Sequence, residues 1–146
     1  YSVESDITWQ KKLNQIIKNP NINYIYNEMD TKPDTWGRPG KNATNIQKIN
    51  YSNQITKLSK EEQDNIDLVF IDGRFRVACC LKCYDIIKDI CLIAFDDFLN
   101  RPHYHVVLEY FDIIEKTKGN RMVILKKKNN VIIPKDVIEK YELEKS

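Results

Sequence analysis

No stretch of this sequence approaches the roughly 20 consecutive apolar residues that a membrane span needs, and no basic-then-apolar leader opens it. A soluble, cytoplasmic protein without a membrane partner is the expectation. Charge of one sign is also scarce: 23 Lys and Arg stand against 21 Asp and Glu, for a net +2. The lysines are spread along the chain except for Lys126-Lys127-Lys128, so composition makes no case for a nucleic-acid partner. Only four glycines occur, and no phosphate-binding loop is visible among them. The four cysteines, at 79, 80, 83 and 91, are bunched too closely for a disulfide framework. Cys79 and Cys83 sit four apart on what reads as a helix. With no second Cys/His pair at zinc-site spacing, they are read as buried thiols packed as small hydrophobes.

What is there suits one globular domain over residues 1–146, with 42% hydrophobic and 30% charged residues. Residues 1–4 read as the tail of a strand. Ser5 and Asp6 offer capping oxygens to a helix carrying Ile7, Trp9, Leu13, Ile16 and Ile17, which Asn19-Pro20 stops. A β-type run spans Asn23 to Glu28, and Thr31 to Asn45 forms a long loop of the kind that is often functional. Ser59 and Glu62 make a capping-box pattern for a short helix ending before Asp67. Leu68 to Ile71 and Ile90 to Phe95 are continuous apolar runs, as expected of parallel strands covered on both faces, and Phe75 to Ile87 reads as a helix between them. His103 to Lys116 is predicted to be helical, with Gly119 as its C-cap. Met122–Leu125 and Val131–Ile133 are predicted to form a closing hairpin. The alternation argues for an α/β fold: a Rossmann-like, doubly wound, mainly parallel sheet with a C-terminal antiparallel hairpin.

In open α/β sheets ligands lie beyond the carboxyl ends of the strands, so the polar residues there carry the functional question. Asp72 follows an apolar strand and is itself followed by Gly73 and Arg74. Asp96 and Asp97 end the next strand. Three carboxylates on neighbouring strand ends suit a hard cation such as Mg²⁺, or else pair with Arg74, Arg76 and Arg101 in an ionic network. The two histidines, His103 and His105, follow the Asp pair, and either is a candidate for moving a substrate proton. Two apart, they cannot share one helical face.

These residues resemble the class I S-adenosylmethionine-dependent methyltransferases, whose seven-stranded sheet ends in an antiparallel hairpin. The order of elements here is similar to strands two to seven of that fold. Val3-Glu4-Ser5-Asp6 resembles the acidic end of the second strand, which gives Glu4 and Ser5 a place at the cofactor's ribose; Met29 and Asp30 resemble the position near its adenine. Asp67-Leu-Val-Phe-Ile-Asp72-Gly-Arg and Ile93-Ala-Phe-Asp96-Asp97-Phe resemble the fourth and fifth strand ends of the metal-dependent O-methyltransferases. There Asp72, Asp96 and Asp97 would ligate Mg²⁺, with Asp72 also facing the cofactor. Asp96-Asp97-Phe-x-x-Arg101-Pro-x-Tyr104 and Gly119-Asn-Arg-Met extend the likeness to a methyltransferase-like group. The resemblance implies that a first strand and a glycine-rich loop, which cradles the methionine part of the cofactor, would precede Tyr1.

The leading expectation is O-methylation of a small hydroxyl acceptor such as a sugar, with S-adenosylmethionine as cofactor and Mg²⁺ assisting. Asp72, Arg74, Arg101 and His103 are the candidate catalytic residues. A metal-dependent phosphoryl transferase and a non-catalytic Rossmann-like binding module are the alternatives, and self-association into a homo-oligomer stays open.

Overall fold

The computed structural model describes residues 1–32, 35–119 and 121–144. A short strand, β1 (Ser2–Glu4), leads into helix α1 (Ile7–Ile16), whose start is fixed by Asp6. The Asp6 carboxylate accepts from the amides of Thr8 and Trp9 at 2.9 and 3.1 Å, meeting two of the unpaired donors of a first turn. The chain returns as β2 (Tyr24–Tyr26), parallel to β1.

Thr31 and Pro39 pair in an isolated bridge, and helix α2 (Asn45–Ser52) follows. It was not expected from the sequence, although Thr44 and Gln47 form a reciprocal capping box. Helix α3 (Lys60–Asp64) carries the same device from Ser59 and Glu62, as predicted. Strand β3 (Leu68–Ile71), helix α4 (Arg76–Cys83) and strand β4 (Leu92–Phe95) make the parallel unit, with Leu68 in register with Leu92 and Ile71 with Phe95. Val77, Cys80, Leu81 and Cys83 of α4 are buried in one core with Ile71, Ile93 and Phe95 of this sheet. Fully burying an aliphatic side chain such as that of Val77 or Leu81 is worth about 1.5–3 kcal/mol.

Two expectations are corrected in the carboxy-terminal half. The segment predicted as one helix over 103–116 is a 3₁₀ helix over Pro102–Glu109 followed by a strand, β5 (Phe111–Lys116). The helical reading required Ile113 and Ile114 on one buried side. Phe111 is fully buried as that reading expects, but Ile114 is exposed, and a register shift between Ile113 and Glu115 marks a bulge. Strand β5 therefore pairs with β6 (Val123–Lys127), so the antiparallel hairpin exists but one strand earlier than predicted. Residues 131–133 form no strand; helix α5 (Lys135–Leu143) follows and packs on α4 and α2.

The larger sheet runs β3-β4-β6-β5, and β1-β2 form a separate pair. The expectation that both apolar runs are covered on both faces holds for β4. In β3, Val69 and Ile71 pack inward while Leu68 and Phe70 remain about 60% exposed (58% and 60%). The fold is α/β, with parallel strands and an antiparallel C-terminal pair. Among the described residues no helix is long and apolar enough to cross a membrane.

Candidate functional site

The ends of β3 and β4 stay hydrogen-bonded past the strands themselves. The amide of Asp96 donates to the Ile71 carbonyl at 3.0 Å, which brings Asp72 and Asp96 side by side. Both chain exits then turn through a left-handed residue, Phe75 at φ 52° and Asp97 at φ 56°. A non-glycine residue there costs on the order of 1–2 kcal/mol and persists only where its surroundings enforce it. Phe75 is buried against Tyr51, with ring centroids 5.9 Å apart. That packing fixes the direction in which α4 begins.

The first residue of α4 is Arg76, and it lies at the centre of the acidic cluster with only 6% of its surface exposed. Its Nη2 is 3.1 Å from Asp72 Oδ1 and 3.5 Å from Asp97 Oδ2, and its Nη1 is 3.9 Å from Asp96 Oδ2. Two backbone carbonyls hold the guanidinium there: Gly73 accepts from Nε at 3.0 Å and Asp96 accepts from Nη1 at 2.6 Å. Arg121, from the β5–β6 connection, adds contacts of 2.8 Å to both Asp96 and Asp97. Arg101 lies 2.8 Å from Asp97 and donates to the Tyr104 hydroxyl at 3.1 Å. Three carboxylates thus face three guanidiniums.

The balance differs between the two neighbouring aspartates. Burial pushes the Asp72 carboxyl above the usual carboxylate range, and a hydrogen bond shared with Asp96 adds to this against the pull of Arg76. Burial also works against charge on Asp96, but the hydrogen bonds and charge of Arg121, with the hydrogen bond from Asp72, outweigh it and hold that carboxyl low. Asp72, with 47% of its side chain exposed, is the more basic carboxylate and the more open one.

Arg74 leaves the cluster. Its Nε donates to the Trp36 carbonyl at 3.0 Å and its Nη2 to the Thr35 carbonyl at 3.4 Å, so it clamps the 35–38 turn to the end of β3. His103 is exposed, its ring 4.3 Å from that of Tyr104. His105 turns the other way, within 3.2 Å of the Phe98 carbonyl. On the β1 side, Glu4 Oε1 accepts from the amides of Ser5 and Asp6 at 2.7 and 3.0 Å. Gly37 closes over this end: a Cβ built on it would stand 3.2 Å from Ser5 Oγ and 3.8 Å from Glu4 Oε1. Met29 is buried in a small core with Tyr51, Phe75 and Ala78. Asp30 accepts from the Asn42 amide at 2.8 Å and lies against Gly40, where it organises the loop.

Sequence reasoning missed two residues of this region. Arg121 carried its signal in the Gly119-Asn120-Arg121-Met122 motif, to which no role had been given. Tyr51, on the unexpected helix α2, places its hydroxyl under Gly73 and 3.5 Å from the Arg74 amide. Burial pushes that phenol well above its ordinary pKa.

The donor set does not suit the predicted metal. Among the described residues no group of three His, Cys, Asp or Glu side chains is arranged to hold an ion, and Arg76 occupies the space between the three carboxylates. Cys80, Cys83 and Cys91 are buried free thiols, and burial raises the pKa of each. Two clefts lie away from the cluster, one beside Tyr84, Asp89 and Lys127 and one between Tyr1 and Leu68. Neither contains a predicted site residue.

No family model and no curated protein matches the chain. A crystal structure of a methyltransferase-like protein from Silicibacter pomeroyi matches it with a TM-score of 0.77 at 25% sequence identity, over 94% of this chain and 72% of that one. The fold is methyltransferase-like.

Proposed function

We propose that this protein is an S-adenosylmethionine-dependent methyltransferase acting on a hydroxyl of a small acceptor such as a sugar, with Asp72 as the general base. The observation that carries the reading is the position and character of Asp72: half-exposed at the carboxyl end of β3, beside the end of β4, in a methyltransferase-like fold, with its carboxyl raised by burial and by Asp96. A raised carboxylate is a better proton acceptor near neutral pH than an ordinary one.

The residues on the β1 side fit an adenosyl ligand. Glu4 is a strand-end carboxylate oriented by two amides, which suits a vicinal diol, and the lack of a side chain on Gly37 lets the 35–38 turn approach Ser5 and Glu4 closely. When bound, S-adenosylmethionine supplies a methyl group on a sulfonium, which is an electrophile. Asp72 Oδ would accept the proton of the acceptor hydroxyl that receives this methyl group. Arg101 and Arg121, at the partly exposed rim of the cluster, orient the acceptor by donating to its other oxygens. Arg76 keeps Asp96 and Asp97 in place. His103 is an exposed alternative base at the same end of the sheet. No step is assigned to Mg²⁺, because the carboxylates that would ligate it are engaged by arginines.

Calorimetric titration of the protein with S-adenosylmethionine tests the first half of the reading, and release of S-adenosylhomocysteine with a panel of polyols and sugars tests the second. Micromolar binding and acceptor-dependent turnover are expected. Absence of heat at millimolar cofactor sinks the proposal.

A further inference from the structure

Arginine is scarce in this chain and confined to one region. Five arginines stand against 18 lysines, and all five gather at the carboxyl ends of the strands. Arg38 lies in the turn that Arg74 holds, Arg74 and Arg76 follow β3, Arg101 follows β4, and Arg121 sits in the β5–β6 connection, where its carbonyl accepts from the Phe98 amide at 2.8 Å. Lysine carries the positive charge elsewhere, and among the described residues no lysine pairs with Asp72, Asp96 or Asp97. A guanidinium differs from an ammonium in its fixed planar fork, which can meet a second oxyanion with the edge that the first leaves over. Arg76 has no edge to offer, being buried among three carboxylates and two carbonyls. Arg101 and Arg121 differ. They flank Asp97, with Arg101 Nη2 2.8 Å from Oδ2 and Arg121 Nε 2.8 Å from Oδ1. Among the described residues the contacts of Arg101 use Nη1 and Nη2, and those of Arg121 use Nε and Nη2, so Arg101 Nε and Arg121 Nη1 meet no hydrogen-bonding or ionic partner. The two side chains are 38% and 62% exposed. Neutralising three carboxylates does not explain donors left over on the open side of the cluster.

We propose that Arg101 and Arg121 form an oxyanion subsite at the rim of the cluster, which selects acceptors carrying a carboxylate near the hydroxyl, such as a uronic acid or a small hydroxy acid. This rests on the function proposed above and adds to it the class of acceptor. The two unspent N–H groups match the two oxygens of one carboxylate. A phosphate dianion in the same place brings twice the charge toward Asp97 and the half-exposed Asp72, and that repulsion disfavours it. A neutral polyol meets the same donors without the charge that shortens and strengthens such bonds. Arg76 Nη2 reaches both Asp72 and Asp97, at 3.1 and 3.5 Å, so the subsite and the proposed base lie within the length of one small molecule.

With only five arginines in the chain, the Nε–Hε signals of a nitrogen-correlated NMR spectrum report on the subsite directly. Titration of the wild type with glucuronate is expected to shift the Arg101 and Arg121 signals saturably at millimolar concentration, and glucose to leave them in place. Arg101→Gln and Arg121→Gln identify the two signals, and each is expected to weaken glucuronate roughly tenfold. Arg121→Lys is expected to recover only part of that loss. The wild-type titration decides the matter even where a variant fails to fold. Release of S-adenosylhomocysteine from S-adenosylmethionine is expected to be roughly tenfold or more faster with glucuronate and glycerate than with glucose and glycerol. Glucose shifting the two signals as strongly as glucuronate, or neither shifting them, overturns the subsite, and turnover of neutral acceptors in that case leaves methyl transfer standing. Tighter binding of glycerol phosphate than of glycerate overturns the assignment to a carboxylate. Saturable shifts by glucuronate without binding of S-adenosylmethionine keep the subsite and overturn the proposed activity.

Discussion

Arg76 reaches from the first residue of α4 to the main-chain carbonyl of Asp96, 2.6 Å away, so the positive centre of the acidic cluster is tied to the end of β4 by backbone as well as by charge. A guanidinium presents several donors in a fixed plane, which is what lets one buried side chain bind two carbonyls and approach three carboxylates.

Removing that centre leaves Asp72, Asp96 and Asp97 facing one another with two peripheral arginines. Breaking a buried pair from one side costs roughly 3–5 kcal/mol, and Arg76→Ala is expected to fall in that range by urea denaturation at pH 7. Arg76→Lys is expected to recover only part of it, because an ammonium cannot reproduce the planar set of contacts. Equal stability of Arg76→Ala and wild type contradicts the central role given to this residue.

The two neighbouring aspartates should respond to pH in opposite senses. Asp96 is held below the ordinary range, so its stabilisation is present above the unfolded aspartate pKa and fades as pH falls through the lower folded value. Asp72 is raised, so the fold prefers its protonated form and loses stability as pH climbs from the unfolded value through the folded one. Asp96→Asn is therefore expected to destabilise at pH 7 and to matter progressively less toward pH 2. Asp72→Asn is expected to leave stability at pH 7 unchanged or improved while lowering methyl transfer about 10²- to 10⁴-fold. Denaturation midpoints at pH 3, 5 and 7 for both variants separate the two signs.

The strand-end carboxylates were legible in the sequence because an apolar run followed by Asp is a local pattern, and the β3–α4–β4 unit around them obeys it. Their partners were less so. Arg76 is one arginine of the expected network, but nothing local says that it is buried while Arg74, two residues earlier, turns away to the 35–38 turn. That choice depends on Phe75 adopting a left-handed conformation between them, which follows from its packing against Tyr51 on a helix distant in sequence. The misread segment 111–116 has the same origin. Ile113 and Ile114 satisfy a helical period on paper, but pairing with Val123–Lys127 decides for strand and pushes Ile114 out at the bulge.

Helix α5 escaped the sequence reading, and its attachment is testable. Glu142 pairs with Lys82 of α4, whose ammonium also binds Ser52 Oγ at 2.8 Å and Asn53 Oδ1. Both charged side chains are nearly buried. Glu142→Ala leaves Lys82 with two neutral acceptors, and the expected loss is about 2–3 kcal/mol. Hydrogen exchange over Lys135–Leu143 should rise more than in β4. Uniform protection across the chain in the variant argues against this pair as the anchor.

Gly73 tests whether the site's backbone depends on helix α2. A Cβ at this position would stand 2.1 Å from the Tyr51 hydroxyl, and Tyr51 is itself buried against Phe75, so its ring has no easy escape. Gly73→Ala is expected to cost roughly 1–3 kcal/mol as an overpacking substitution. Tyr51→Phe removes the clashing oxygen, and also the acceptor 3.5 Å from the Arg74 amide, a long and weak contact. The single Tyr51→Phe change should therefore be nearly neutral, and Gly73→Ala combined with Tyr51→Phe should regain most of the lost stability. The two residues touch, so their effects should not add. Additive losses in the double variant would place the cost of Gly73→Ala in the backbone and release α2 from any part in shaping the end of β3.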